Sequence, residues 1–282
     1  PRVGQEHRYQ MTPAAKPKKV AVVGGGLAGM EAARVAAERG FEVTLYEKDG
    51  QLGGTMALYA GMPKLYMREF INPVDWLKRQ LSNLGVKVAL NTEATAKTLQ
   101  ASGAEVVIVA TGATPFKPAI PGVDKPFVFT EDDYLAGKAK LGSKVVVLGG
   151  KWGAETAVSL ARESGVAQLT LVEESNDVAT VLDGFRKAVV KGYLADAKVA
   201  VLTEHKAVEI TAEGVKVLDK NWKETFIPAD TVVISMGRVA NDGLAKALEG
   251  KVELYKIGDC NRPNEWSILF AMEEANFVAL RL

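Results

Sequence analysis

Lys18-Lys-Val-Ala-Val-Val-Gly-Gly-Gly-Leu-Ala-Gly-Met-Glu31 runs from an apolar stretch into Gly24-x-Gly26-x-x-Gly29. The apolar stretch predicts a buried strand, and the residues beyond Gly26 predict a helix over Leu27–Arg39 that stops at Gly40. Between them, Gly24 permits a tight turn, Gly26 removes the Cβ that would block a pyrophosphate, and Gly29 lets the helix pack closely on the strand. The N-terminus of that helix, with Leu27 and Ala28 in its first turn, offers free N–H groups and a positive dipole end to an anion. A second strand, Phe41-Glu-Val-Thr-Leu-Tyr-Glu47, ends in an acid at the spacing of a ribose-binding carboxylate. Together these residues read as a dinucleotide site.

Working outward, residues 1–18 are polar, contain Pro13 and Pro17, and read as a linker. Gly53-Gly54 reads as a loop, Met67–Leu84 as a helix, Gly85–Leu90 as a strand, and Ala104–Gly112 as a buried strand closed by a Gly turn. Ser143-Lys-Val-Val-Val-Leu-Gly-Gly150 then repeats Lys18–Gly25 nearly residue for residue. This internal pseudo-repeat predicts a second nucleotide-binding unit. It comprises a helix over Gly153–Ser164, a strand over Gln168–Glu173, a β-rich stretch over Lys198–Leu218 and a buried strand in Asp230–Gly237. After Val252–Leu254 and Ile257-Gly-Asp-Cys260, a last helix is expected from about Ser267 to Leu282.

Composition narrows the function classes. A chain of 282 residues with 48% hydrophobic content supports one large core or two modest ones. Thirty-five basic against 34 acidic residues give no electrostatic reason to expect nucleic acid or an anionic membrane as partner. Cys260, the single cysteine, excludes an internal disulfide, a Cys-x-x-Cys pair and a cysteine-ligated cluster built by this chain alone. With only His7 and His205, no protein metal site is expected. No apolar run nears the roughly 18 residues of a membrane span, so a cytoplasmic protein is expected. The chain starts at Pro1, without methionine, and reads as a piece of a longer polypeptide.

The set Gly24-x-Gly26-x-x-Gly29, Glu47, Gly53-Gly54, Ala110-Thr-Gly112, Gly149-Gly150, Met236-Gly237 and Ile257-Gly-Asp259 resembles the FAD/NAD(P) two-dinucleotide-binding flavoproteins over residues 19–282. Within them it is similar to the C-terminal half of the 2,4-dienoyl-CoA reductase and trimethylamine dehydrogenase group of old yellow enzyme relatives. The resemblance implies an α/β protein of two doubly wound, glutathione-reductase-like domains. The FAD domain, residues 19–115 and 250–282, would be discontinuous around an NAD(P)-binding-like domain, 116–249. It also implies that NADH reduces FAD here and that electrons pass to a 4Fe-4S cluster and FMN in an N-terminal TIM barrel outside this chain, to which residues 1–18 would lead. An oxidoreductase is therefore expected, with the electron-input role in this chain. A homo-oligomer is compatible with the sequence, which does not decide it.

The resemblance assigns FAD contacts to Gly24, Gly26, Leu27, Ala28, Gly29, Glu47, Lys48, Gly53, Gly54, Thr55, Ala94, Ala110, Thr111, Gly112, Gly258, Asp259 and Ser267. For the nicotinamide nucleotide it points to Gly149, Gly150, Gly153, Glu173 and Gly237, with Glu173 favouring NADH because it would repel a 2′-phosphate. The second turn departs from the pattern. Gly149-Gly150-Lys151-Trp152-Gly153 is one residue short, and two readings stay open: Lys151 and Trp152 occlude the pyrophosphate, or Lys151 supplies charge to it. The corresponding alternative for the whole chain is a non-catalytic FAD- or ADP-binding scaffold with a relic NAD domain. A free-standing disulfide reductase is disfavoured by the missing Cys-x-x-Cys. No residue is assigned a catalytic role. Cys260 reads as a buried filler, His7 and His205 as solvated, Trp76, Trp222 and Trp266 as packing residues, and Arg238 as a surface ion pair.

Overall fold

A computed structural model of the protein describes residues 4, 7, 9–61, 68–264 and 268–282. Ser267, Trp266 and the expected helix start at Met67 lie outside the described residues. Contacts divide the chain into two units. One holds the residues up to Ala60 with Glu69–Thr114 and Val239–Leu282, and the other is centred on Pro115–Arg238.

In chain order the first unit supplies β1 (Lys19–Val23), α1 (Leu27–Glu38), β2 (Glu42–Tyr46), α2 (Gly54–Ala60), α3 (Ile71–Asn83), β3 (Lys87–Ala89), α4 (Ala96–Ala101), β4 (Val106–Val109) and β5 (Ala113–Pro115). The second unit contains β6 (Val128–Thr130), α5 (Glu131–Leu135), β7 (Lys144–Leu148), α6 (Gly150–Leu160), β8 (Gln168–Val172), α7 (Gly184–Asp196), β9 (Ala200–Leu202), β10 (His205–Ile210), β11 (Gly214–Asp219), β12 (Glu224–Pro228) and β13 (Thr231–Ile234). The chain returns through β14 (Arg238–Ala240), α8 (Gly243–Leu248), β15 (Glu253–Lys256) and α9 (Ile268–Ala279).

The first unit carries a parallel sheet in the order β15-β4-β1-β2-β3. Residues alternate across its faces with a period of two. Val20 and Val22 meet Met30, Leu77 and Ala275 from α1, α3 and α9, whereas Ala21 and Val23 meet Leu99, Ala245 and Leu248 from α4 and α8. Both faces being covered, β1 is buried along four of its five residues, which is why it reads as a continuous apolar run. The second unit repeats the plan as β6-β13-β7-β8-β9. There Val145 and Val147 face α6 and α7, while Val146 and Leu148 face an antiparallel sheet of β10, β11 and β12. In each unit the chain leaves the central strand to one side and later returns on the other, so order reverses beside β1 and beside β7. A crevice opens at the C-terminal strand ends of such a switch point.

Some expected boundaries move. The chain re-enters the first unit at Val239, ahead of the expected 250, because the α8 residues Ala245 and Leu248 bury against Val107 and Val109 of β4. Gly54 opens α2 instead of lying in a loop with Gly53. The second-unit helix runs over Gly150–Leu160, not Gly153–Ser164.

Candidate functional site

The first crevice is assembled from four loops. Gly24 takes φ +107, and a Cβ there would overlap the Ala110 carbonyl oxygen at the end of β4. A Cβ on Gly29 would overlap the Gly24 carbonyl oxygen, so α1 sits on the turn as closely as backbone permits. Gly26 differs. Its φ is an ordinary −74°, and a Cβ there would meet nothing within 4 Å. The missing side chain at Gly26 thus clears open space, not a neighbour in the chain. Gly53 and Gly54, with φ of +132° and +53°, fold onto the same turn: the Gly53 N–H donates to the Gly25 carbonyl at 2.9 Å, and a Cβ on Gly54 would lie 3.1 Å from Gly26 Cα. From the far end of the chain, Gly258 at φ +64 brings the place of its own Cβ within 2.9 Å of Ala28. Asp259 follows in a short 3-10 turn, Gly258–Cys260.

Glu47, one residue past β2, is only 7% exposed. Its Oε2 accepts from the Gly25 N–H at 2.6 Å and its Oε1 from the Asp49 N–H at 2.8 Å, leaving each oxygen a second lone pair. Lys48 beside it is exposed. Ala94, just before the α4 cap Thr95, is buried with Val107, Val109 and Cys260. Thr111 donates to the Asn241 carbonyl at 2.6 Å and touches Cys260 Sγ at 3.2 Å, while the Asn241 N–H donates to the Gly112 carbonyl at 2.9 Å. The structure therefore gathers Gly24, Gly26, Leu27, Ala28, Gly29, Gly53, Gly54, Ala110 and Gly258 about one turn, with Glu47 bonded to the same turn. Two contributors escaped the sequence reading. Gly25 has a Cβ position 2.9 Å from Glu47 Oε2, and Glu274 on α9 accepts from the Gly258 N–H at 2.6 Å. An acid on an exposed-looking helical stretch gave no signal for the latter.

The second crevice repeats the first around Gly149, which has φ +101 and a Cβ position that would overlap the Ser235 carbonyl oxygen. Gly150 lies under Val178 and Glu173, and Gly153 packs with its Cβ position 2.8 Å from Ser235 Cβ. Glu173, 7% exposed, accepts the Lys151 N–H at 2.7 Å and the Ser175 N–H at 2.8 Å, the pattern of Glu47. Gly237, at φ +92, accepts the Phe116 N–H at 2.9 Å. Beneath this crevice lies a group the sequence did not reveal. Glu131 accepts from Thr156 Oγ1 at 2.5 Å and from Ser235 Oγ at 2.8 Å, and burial pushes its carboxyl above the ordinary carboxylate value although both hydroxyls and Arg238 oppose the shift.

The other residues singled out from sequence divide between the interior and the surface. Arg238 makes a two-pronged ion pair with Asp132, both contacts 2.8 Å, and the expected surface pair is half-buried. Cys260 is buried, and burial pushes its thiol up. His205 is half-buried with Nδ1 2.6 Å from the Thr203 carbonyl, so it is only partly solvated. Trp222 is 81% exposed at the β11–β12 turn and does not pack, contrary to expectation. Trp76 is also exposed, with the Arg34 guanidinium 5.5 Å over its ring. Among the described residues no His/Cys/Asp/Glu group is placed to hold a metal, and no described helix is long and apolar enough to cross a membrane.

The family model for pyridine nucleotide-disulphide oxidoreductases matches residues 18–264. The chain is 37% identical over 92% of its length to an NADH oxidase of Thermoanaerobacter brockii and 35% identical over 99% of its length to a cinnamate reductase of Clostridium sporogenes, covering 40% and 41% of those proteins. The solved 2-naphthoyl-CoA reductase superposes on the whole chain with a TM-score of 0.92 at 35% identity, the chain covering 43% of it. The protein thus spans about two fifths of the length of the relatives it matches. These relatives are of the old yellow enzyme-related, dienoyl-CoA reductase-like kind expected from the motifs, and the cofactors of this chain are FAD and NADH. The chain belongs to the pyridine nucleotide-disulphide oxidoreductase family.

Proposed function

We propose that this chain is the electron-input portion of a larger NADH:flavin oxidoreductase. In that reading NADH reduces FAD, and electrons leave for a 4Fe-4S cluster and FMN in an N-terminal TIM barrel outside the chain. The observation that carries it is the duplicated acid. Glu47 and Glu173 each stand one residue past the strand that follows the glycine turn and its helix, β2 and β8, each buried, each accepting two backbone N–H groups in the same pattern. Two ribose-type carboxylates in one chain call for two adenosine dinucleotides, one to give electrons and one to take them. The share of each relative that the chain covers supports a further domain.

The first crevice fits FAD. The open space over Gly26 and the N-terminus of α1 suit its pyrophosphate, and the lone pairs left on Glu47 suit the adenosine ribose. Gly53, Gly54 and Thr55 would let backbone pass close to the cofactor, Lys48 and Ala94 would flank the adenosine, and Ala110-Thr111-Gly112 with Gly258 and Asp259 would close over the ribityl end. FAD, when bound, supplies hydride acceptance at its flavin ring. In the second unit Gly149, Gly150, Gly153 and Gly237 would shape the nucleotide seat. Glu173 would hold a free ribose 2′-hydroxyl and repel a 2′-phosphate, which selects NADH over NADPH. Anaerobic mixing of the FAD-loaded, barrel-containing protein with NADH tests the reading. Bleaching of the flavin supports it. An oxidised flavin that survives excess NADH makes the second unit a relic and the chain a scaffold.

A further inference from the structure

The two turns solve the same problem with different means. In the first unit Gly24, Gly25 and Gly26 precede α1, and the first helical N–H to close on the turn is that of Met30, on the Gly26 carbonyl at 2.9 Å. In the second unit the Gly153 N–H closes directly on the turn glycine, Gly149, at 2.8 Å, and α6 begins at Gly150. The second turn is one residue shorter, and one backbone N–H ahead of the helix is lost with it. Of the N–H groups that remain, that of Lys151 is bonded to Glu173 at 2.7 Å, as that of Gly25 is to Glu47 at 2.6 Å in the first unit. Lys151, however, lies within the first turn of α6 whereas Gly25 lies ahead of α1, so the first unit keeps more helical donors open. By N–H donors alone, the second turn holds a pyrophosphate less well than the first.

The residue put in that place carries a cation. Lys151 is exposed at the first turn of α6, with Nζ 5.8 Å from the centroid of the Trp152 ring. The cations of neighbouring α7 are committed: Lys187 and Lys191 both pair with Asp177, at 2.7 and 2.9 Å, and Arg186 pairs with Glu155 at 2.8 Å. Among the described residues Lys151 pairs with no carboxylate. An exposed cation–π contact is a weak hold, readily exchanged for a charge-assisted hydrogen bond to a phosphate oxygen.

We infer that Lys151 is the pyrophosphate-binding residue of the second site, its ammonium replacing the N–H donor lost with the shortened turn. The inference rests on the reading of the second unit as a nicotinamide dinucleotide site, and it adds a division of labour. Lys151 sets affinity for any pyrophosphate-bearing nucleotide, and Glu173 sets the choice between NADH and NADPH.

The test uses the FAD-loaded full chain, so that the first crevice is filled, and titrates ADP, adenosine, NADH and NADPH against wild type, Lys151→Met and Lys151→Arg. The lysine is exposed, so neither substitution threatens the fold. Loss of one charge-assisted contact predicts a dissociation constant for ADP and NADH raised at least about tenfold in Lys151→Met, with weaker salt dependence. Adenosine binding and the NADH/NADPH ratio should not change, and Lys151→Arg should keep near-wild-type affinity. Equal ADP affinity in wild type and Lys151→Met overturns the role of the lysine while leaving the dinucleotide site standing. A changed NADH/NADPH ratio also overturns it, by placing the ammonium at the 2′ position. Wild-type protein that binds neither ADP nor NADH overturns both readings.

Discussion

Gly26 and Gly29 stand three residues apart in one motif yet answer to different constraints. A methyl group on Gly29 must displace the Gly24 backbone, whereas one on Gly26 enters open space at an ordinary backbone angle. Gly29→Ala should therefore destabilise the protein by about 1–3 kcal/mol, the usual cost of overpacking, read as a lowered urea midpoint. Gly26→Ala should leave the midpoint of the flavin-free protein unchanged and lose flavin, read as FAD per chain after purification. Full FAD loading in Gly26→Ala would mean that the space above it does not take the pyrophosphate. The two acids separate similarly. Glu173→Ala should narrow the preference for NADH over NADPH by on the order of tenfold, the worth of one like-charge contact of about 1.4 kcal/mol. A preference that persists in stopped-flow bleaching would remove the assigned role. At this scale the clustering of the turn glycines with their acids was legible, because glycines and acids at fixed offsets from a strand leave few alternatives. Glu274 was not legible: its target, the Gly258 N–H, is 16 residues away and reached only once α9 is docked.

The second-unit helix shows what a local pattern conveys and what it hides. The short turn was visible as a missing residue, but not that α6 would absorb the loss by starting at Gly150. There the turn glycine itself, Gly149, caps the helix, whereas α1 is capped by Gly26, two residues beyond the equally left-handed Gly24. At the other end, Arg162-Glu-Ser-Gly165 leaves the helix early, with Gly165 at φ +102. Glu131 is the clearest case of a hidden residue. Thr130 and Asp133 form a capping box at the start of α5, with Glu131 between them. The acid between them points inward to hydroxyls from α6 and from the end of β13. Burial raises its carboxyl above the ordinary value of 4.5. A raised folded-state value means that the folded protein keeps a proton which the unfolded chain releases. Unfolding free energy from this group then falls as pH rises from about 4.5 through the folded value. Glu131→Gln removes that dependence. Urea midpoints measured from pH 4.5 upward should fall more steeply with pH in wild type than in the variant, and parallel curves would show that Glu131 titrates normally.

Across the whole molecule, the repeat of Lys18–Gly25 in Ser143–Gly150 foretold two units with the same strand order. Parallel strands covered on both faces must be apolar throughout, and the turn beyond each must be glycine, so the same physics writes the same residues twice. The return at Val239 had no comparable signal, since β5 and β14 are three residues each and pair only with one another. The duplicated plan also bounds what the chain can do by itself. On the proposed reading two adenosine-type crevices take one donor and one acceptor of a hydride, while a single cysteine cannot ligate an iron–sulfur cluster. The purified chain loaded with FAD should be bleached by NADH without oxygen and reoxidised by ferricyanide, because a reduced flavin meets that acceptor unaided. It should neither reduce an unsaturated thioester nor oxidise an amine, as no second flavin is held to receive the electrons. Robust turnover of either substrate by this chain would place the substrate chemistry inside it and refute the proposed division between electron input here and reduction elsewhere.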